Sequence, residues 1–197
     1  MILPIVAYGH PVLRQKAAEI DKKYPDLNQL IKNMWETMYG ANGVGLAAPQ
    51  IGLPIRLFVV DGSPFYRDTD LILSERKALK EFKHVFINPT IVARSGVMED
   101  FNEGCLSIPD IREDVSRKDE ITIEFLDADF KPKQMHLHGI ASRIVQHEYD
   151  HIEGILFTDK LSALKKKLLK SKLTQIARGK VEADYPMTFA DKKSLNI

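Results

Sequence analysis

The stretch "QHEYDH" (146–151) carries two imidazoles four residues apart, His147 and His151, with the carboxylate of Glu148 beside the first. On a helix, residues four apart share a face, so both rings can reach one metal ion. Glu148 lies about 100° around the helix from His147, within reach of a water on such an ion. A carboxylate there can take a proton from that water and later pass it to a leaving group. Ile140 and Ile144 fall within about 60° of the two histidines. The metal face thus continues into an apolar face, as a pocket for a hydrophobic substrate side chain requires.

Two histidines leave such a site one ligand short, because catalytic zinc-type sites take three protein ligands and keep one position open. Downstream, Glu153 is too close to fold back, and Asp159 is the other nearby acid. Peptidases that draw a third ligand, a Glu, from a following helix are a poor match, since residues 160–180 contain no acid. Those that use a third His after a Gly in the same motif are no better. Cys105, the single cysteine in the chain, is the best candidate. A lone cysteine is more often a small buried hydrophobe. Its setting among the turn formers of "NEGCLSIPD" (102–110), together with the missing ligand, reverses that judgement. A metallopeptidase of another HExxH class is the alternative reading.

Elements must hold these groups together. The spacing of Leu27, Leu30, Ile31, Met34, Trp35 and Met38 predicts an amphipathic helix over 26–40, with Asp26 as N-cap. "GANGVGLAAPQIGLP" follows as a glycine-rich loop. "IRLFVVDG" (55–62) reads as a buried strand, and 63–83 as a polar excursion before the strand "HVFINPTIVARSG". "EITIEFLDAD" alternates as a half-buried strand that could pair with "KQMHLHG" in a hairpin. "GIASRIVQHEYDHIEG" predicts a helix ending at Gly154. A last helix starts near Ser162, with Leu164, Leu168, Leu173 and Ile176 as its expected stripe. Helix, clustered strands, then helix predict an α+β fold. We expect a single domain over 1–197, with antiparallel or mixed strands around a central HExxH helix. An N-terminal amphipathic helix and a C-terminal basic helix and tail (162–197) complete it.

The chain resembles the peptide deformylases. "GVGLAAPQ" (43–50), "EGCLS" (103–107) and "QHEYDH" (146–151) are similar, in that order, to three motifs of the family. The likeness runs from "PIVAYGHPVLR" to "FTDKLSALKK". The resemblance implies that Cys105, His147 and His151 bind the metal and that Glu148 is the general acid/base. It implies that the Gln50 side-chain amide and the Leu106 backbone N–H stabilise an oxyanion, and that Val44, Gly45, Ile140 and Ile144 hold the methionine side chain and peptide backbone. The implied activity is removal of the N-formyl group from N-terminal formyl-methionine of newly made proteins, releasing formate. One divalent ion is implied, Fe(II) in the cell, with Zn, Ni or Co also accepted; Cys and His ligands do not choose among them. Arg143, one residue before Ile144, stands where many relatives have an apolar residue and is expected to point to solvent.

Composition agrees with a folded chain: 44% of the 197 residues are hydrophobic and 28% charged, which excludes a disordered or fibrous protein. One cysteine excludes an internal disulfide and suggests a reducing compartment. The opening residues lack a basic region before a long apolar run, and no segment reaches the about 20 apolar residues of a membrane span. A soluble, cytoplasmic protein with no membrane contact is expected. Charge is uneven: residues 160–180 hold eight Lys or Arg and no acid, so with a total of +1 the rest of the chain is −7. By the resemblance, the basic helix 162–180 is a possible contact with ribosomal RNA; a solvated helix face is the plainer account.

Overall fold

The computed structural model describes residues 1–190, so the end of the expected tail, 191–197, lies outside the described residues. In chain order the elements are β1 (Ile5–Val6), α1 (Leu27–Gly40), β2 (Gly45–Ala47), β3 (Leu57–Asp61), α2 (Leu73–Glu81), β4 (Lys83–Cys105), β5 (Ile108–Leu126), β6 (Pro132–Leu137), α3 (Gly139–Ile152), α4 (Ala163–Ala177) and β7 (Met187–Thr188). Strands β2-β3-β4-β5-β6 form one antiparallel sheet in that order, and β1 pairs with β7 in parallel. The described residues thus form an α+β fold with a mostly antiparallel sheet.

The apolar run of β3 has a simple cause. Successive side chains on a strand point to opposite faces, and here both faces are covered. Leu57 and Val59 pack with Leu27, Ile31, Met34 and Met38 of α1. Phe58 and Val60 pack with Phe86, Phe125 and with Ile140, Ile144 and Val145 of α3. Phe86 bridges Phe58 and Phe125 at ring-centroid distances of 4.7 and 4.3 Å. Each such fully buried aliphatic or aromatic side chain contributes about 1.5–3 kcal/mol. The sheet is therefore a middle layer, and α3 is pinned to one side of it.

The ends of α3 are set as firmly. Gly154 is left-handed (φ 74°), and a Cβ there would meet the Arg14 carbonyl oxygen at 2.7 Å, so a side chain is excluded twice over. The Ile155 N–H closes the helix onto the Asp150 carbonyl at 2.9 Å. Arg56, buried beside the sheet, donates to Glu153 (2.6 Å) and to the Pro89 carbonyl (2.6 Å), which ties that end of the helix to β4.

Four expectations need correction. Asp26 precedes α1, but it is left-handed (φ 51°) and its side chain makes no cap hydrogen bond. The excursion 63–83 is helical, with a 3₁₀ turn over Ser63–Arg67 followed by α2, which buries only Leu79 and so shows no stripe. Strands β4 and β5 run to 23 and 19 residues: residues 92–100 of β4 are paired yet exposed and so lack the apolar alternation of a core strand. On α4 the Ser162 hydroxyl accepts from the Lys165 N–H as the N-cap, yet the buried face is Leu169, Leu173, Ile176 and Ala177. Leu164 and Leu168 are 67% and 71% exposed, since they sit about 100° or more off that face.

Candidate active site

The Cys105 sulfur and one ring nitrogen each of His147 and His151 all lie within 4.8 Å of one another, although 42 residues separate the cysteine from the first histidine. The histidines stand one turn apart on α3. Cys105 is the last residue of β4, where the chain reverses through Leu106 and Ser107 into β5, with Cys105 paired to Ile108. The turn setting expected for Cys105 is thus the tight end of a long hairpin.

Glu103, two residues before Cys105, orients the first histidine. Its carboxylate can only accept, so the 2.9 Å contact means that His147 donates from Nδ1, and in the neutral ring Nε2 is the nitrogen with a lone pair for a metal. On His151, Nε2 lies 3.3 Å from the Cys105 sulfur, while the buried Nδ1 has no protein partner among the described residues. A soft sulfur and two imidazole nitrogens on rigid elements form a donor set for a divalent transition metal. The electrostatics agree. Burial disfavours charge on both rings, yet the hydrogen bonds of His147 to Cys105 and Glu103 raise its pKa well above the usual imidazole value. Burial and the neighbouring His147 hold His151 well below it. The residues fit a metal.

Glu148 is 4% exposed and its Oε2 has no hydrogen-bond partner among the described residues. Burial raises its pKa to about 7, with the charge on His147 pulling the other way. Gly45 makes room for it, because a Cβ there would come within 2.3 Å of Glu148 Oε1. Gln50 is 1% exposed and its orientation is unambiguous: Oε1 accepts from the Ala47 N–H (2.8 Å), so Nε2 is aimed at Cys105 (3.5 Å) and the Ser107 hydroxyl (3.4 Å).

Val44, Gly45, Gln50, Leu106, Ile144, His147 and Glu148 line one cleft of about 710 Å³ beside Cys105, with Phe65 and Phe101 adding aromatic surface. Ile140 does not line it; this residue packs in the core beneath, with Val145 and Phe86. Arg143 is not in solvent. It is 5% exposed and donates to Glu103 (3.3 Å), the Val115 carbonyl (3.0 Å) and the Glu99 carbonyl (2.7 Å). It is buried because an acid within the hairpin needs a second guanidinium. Sequence reasoning missed that network altogether. Glu103 also takes Arg117 in a two-pronged pair at 2.6 and 2.9 Å, and Arg117 reaches Asp150 at 2.5 Å. Glu103 and Asp150 both lie inside the quoted motifs, which was the available signal.

Comparison with known proteins agrees with this site. The sequence model of the polypeptide deformylase family matches residues 2–167. A peptide deformylase of Christiangramia forsetii is 56% identical over 193 residues, 98% of each chain. One from Flavobacterium johnsoniae is 57% identical over 193 residues, again 98% of each. The crystal structure of peptide deformylase from Thermus thermophilus matches with a TM-score of 0.77 at 36% identity, covering 91% of this chain and 99% of that one. The enzyme from Legionella pneumophila gives 0.75 at 37% identity, over 90% and 96%. By sequence and by fold, this chain belongs to the polypeptide deformylase family.

Proposed function

We propose that the chain removes the N-formyl group from the N-terminal formyl-methionine of newly synthesised polypeptides, as a metal-dependent hydrolase, with the residue roles that follow. The observation that carries the reading is that Cys105, His147, Glu148 and Gln50 line one cleft, with His151 grouped with the first two. Cys105, His147 and His151 would hold one divalent ion, which we read as Fe(II) in the cell, with Zn, Ni or Co as substitutes. Such an ion, when bound, polarises a carbonyl and lowers the pKa of a water.

Glu148 accepts the proton released as water attacks the formyl carbon, then returns it to the departing amine nitrogen. Formate and a free N-terminus result. Gln50 Nε2–H and the Leu106 N–H donate to the formyl oxygen as it gains charge, and one such preorganised donor is worth about 10²–10³-fold in rate. Val44 and Gly45 lie at β2, the edge strand of the sheet, whose outer side offers main-chain groups to an extended peptide. Ile144, with Phe65 and Phe101, gives the methionine side chain an apolar wall, and Ile140 supports Ile144 from the core. The direct test is formate release. N-formyl-Met peptide should yield one formate per peptide cleaved, with the metal measured alongside. Cleavage of an internal peptide bond without formate would point to the peptidase alternative.

We read residues 1–197 as one catalytic domain acting in the cytoplasm, where nascent chains emerge. Among the described residues no helix is long and apolar enough to cross a membrane. Contact of the segment 162–180, which contains α4, with ribosomal RNA also belongs to this reading. Its support is the eight cationic side chains of 160–180 and the exposure of Leu164 and Leu168 beside them. Ribosome co-sedimentation is expected at low salt and is lost as salt rises, because phosphate contacts release counterions. Binding that ignores salt, or no binding at all, removes this part of the reading.

A further inference from the structure

The segment after α4 lies beyond residue 167, where the family match ends. Gly179, left-handed at φ 72°, turns the chain back over the molecule. From Val181 to Phe189 the side chains alternate between half-buried and exposed, with the period of a strand. Val181, Met187 and Phe189 pack on the core cluster that also takes Cys105, while Tyr185 packs with the cluster that takes Leu106. The Ile5 N–H donates to the Pro186 carbonyl and the Ala7 N–H to the Thr188 carbonyl, both at 2.8 Å, so the segment is stitched to β1. Glu182, Ala183, Asp184 and Tyr185 thereby form a wall of the cleft.

The Tyr185 hydroxyl donates to the Leu106 carbonyl at 2.8 Å. The turn that follows Cys105 has only two residues, and each has two soft backbone dihedrals. Ser107 is fixed from elsewhere: its carbonyl accepts from the Tyr8 N–H at 2.8 Å and its hydroxyl meets Gln50 at 3.4 Å. Leu106 is half-buried, and the bond from Tyr185 reaches it across 79 residues. This hydroxyl is thus placed to set the orientation of the residue whose N–H the proposed function assigns to the formyl oxygen.

We propose that Tyr185 is a positioning residue for deformylation, holding Leu106 so that its N–H stays aimed at the formyl oxygen. The proposal rests on the assignment of that N–H as an oxyanion donor. The test compares Tyr185→Phe with Gln50→Leu in the metal-loaded, full-length chain, acting on N-formyl-Met peptide. Phe keeps the packing and deletes one hydrogen bond. kcat is expected to fall about 3- to 10-fold, the size of one net hydrogen bond. KM should stay within about twofold, metal content should be unchanged, and amide exchange at Leu106 should accelerate. Wild-type kcat in Tyr185→Phe beside a large loss in Gln50→Leu overturns the proposal and leaves the oxyanion assignment standing. Wild-type kcat in both variants overturns the assignment itself. A loss of kcat that merely tracks lost metal or a lowered Tm also overturns the proposal, since the role is then structural.

Discussion

Replacing Glu148 by Gln should slow formate release about 10²- to 10⁴-fold, the range for a positioned general acid/base, while the metal content stays that of the wild type. Gln keeps the size and shape of the side chain but neither takes nor gives the proton. Every metal donor identified lies elsewhere, on Cys105, His147 and His151. A second readout separates this from damage to the fold. Burial raises the Glu148 pKa from 4.5 to about 7 in the metal-free protein. A carboxyl whose folded pKa is raised destabilises the native state progressively as pH climbs from about 4.5 to about 7. The neutral amide removes that penalty, so metal-free Glu148→Gln should melt at or above the wild-type temperature at pH 8. A cation held by Cys105, His147 and His151 favours the carboxylate, so the wild-type rate should fall on the acid side at a pH below the metal-free value, and the residual rate of the variant should lack that limb. Undiminished formate release from the variant would mean that another group carries the proton.

What the sequence made legible about this site was local. The HExxH spacing needs only the pitch of a helix, and Gly154 announces where that helix stops. The third ligand emerges by elimination among distant residues, which a single cysteine makes tractable. The supporting charges were not legible. Glu103 meets His147 across 44 positions and Arg143 meets Glu103 across 40, so nothing periodic links them. Arg143 is expected in solvent because an arginine beside an apolar face ordinarily is. Only the burial of Glu103 by the hairpin, which demands compensating guanidiniums, reverses that expectation.

The fold divides in the same way. Strand β3 and helices α1 and α3 are readable because burial on a defined face imposes a pattern. The helix α2 buries one leucine, so its sequence carries no such pattern. The misread stripe of α4 has a different cause: the helix has more leucines than its buried face uses, and spacing alone does not say which are docked. Strand β7 is two residues long and pairs with β1 at the far end of the chain. Its register is set by main-chain bonds that leave no mark on residue type.

The buried network behind the site gives the other large effect. Glu103 is 4% exposed, and its two oxygens accept from Arg117, Arg143 and His147. Burial raises the pKa of such a group, but here the hydrogen bonds from Arg117 and His147 prevail and hold it at about 2, against 4.5 unperturbed. Replacing Glu103 by Gln leaves Arg117 with Asp150 as its acidic partner and Arg143 with the Val115 and Glu99 carbonyls. It also turns an acceptor oxygen into an NH₂ that faces other donors. Removing one partner from a buried ionic network costs about 3–5 kcal/mol, which should appear as a lower midpoint in denaturant. His147 also loses the acceptor that fixes its tautomer, so metal affinity should fall about 10- to 100-fold. The pH dependence follows from the sign of the shift. A depressed carboxyl pKa adds stability that is complete above about pH 4.5 and is lost as pH falls toward about 2. The gap between wild type and Glu103→Gln should therefore be widest at neutral pH and narrow in acid. A constant gap from pH 7 to pH 3 would assign the loss to packing, because only the ionised carboxylate can account for one that closes.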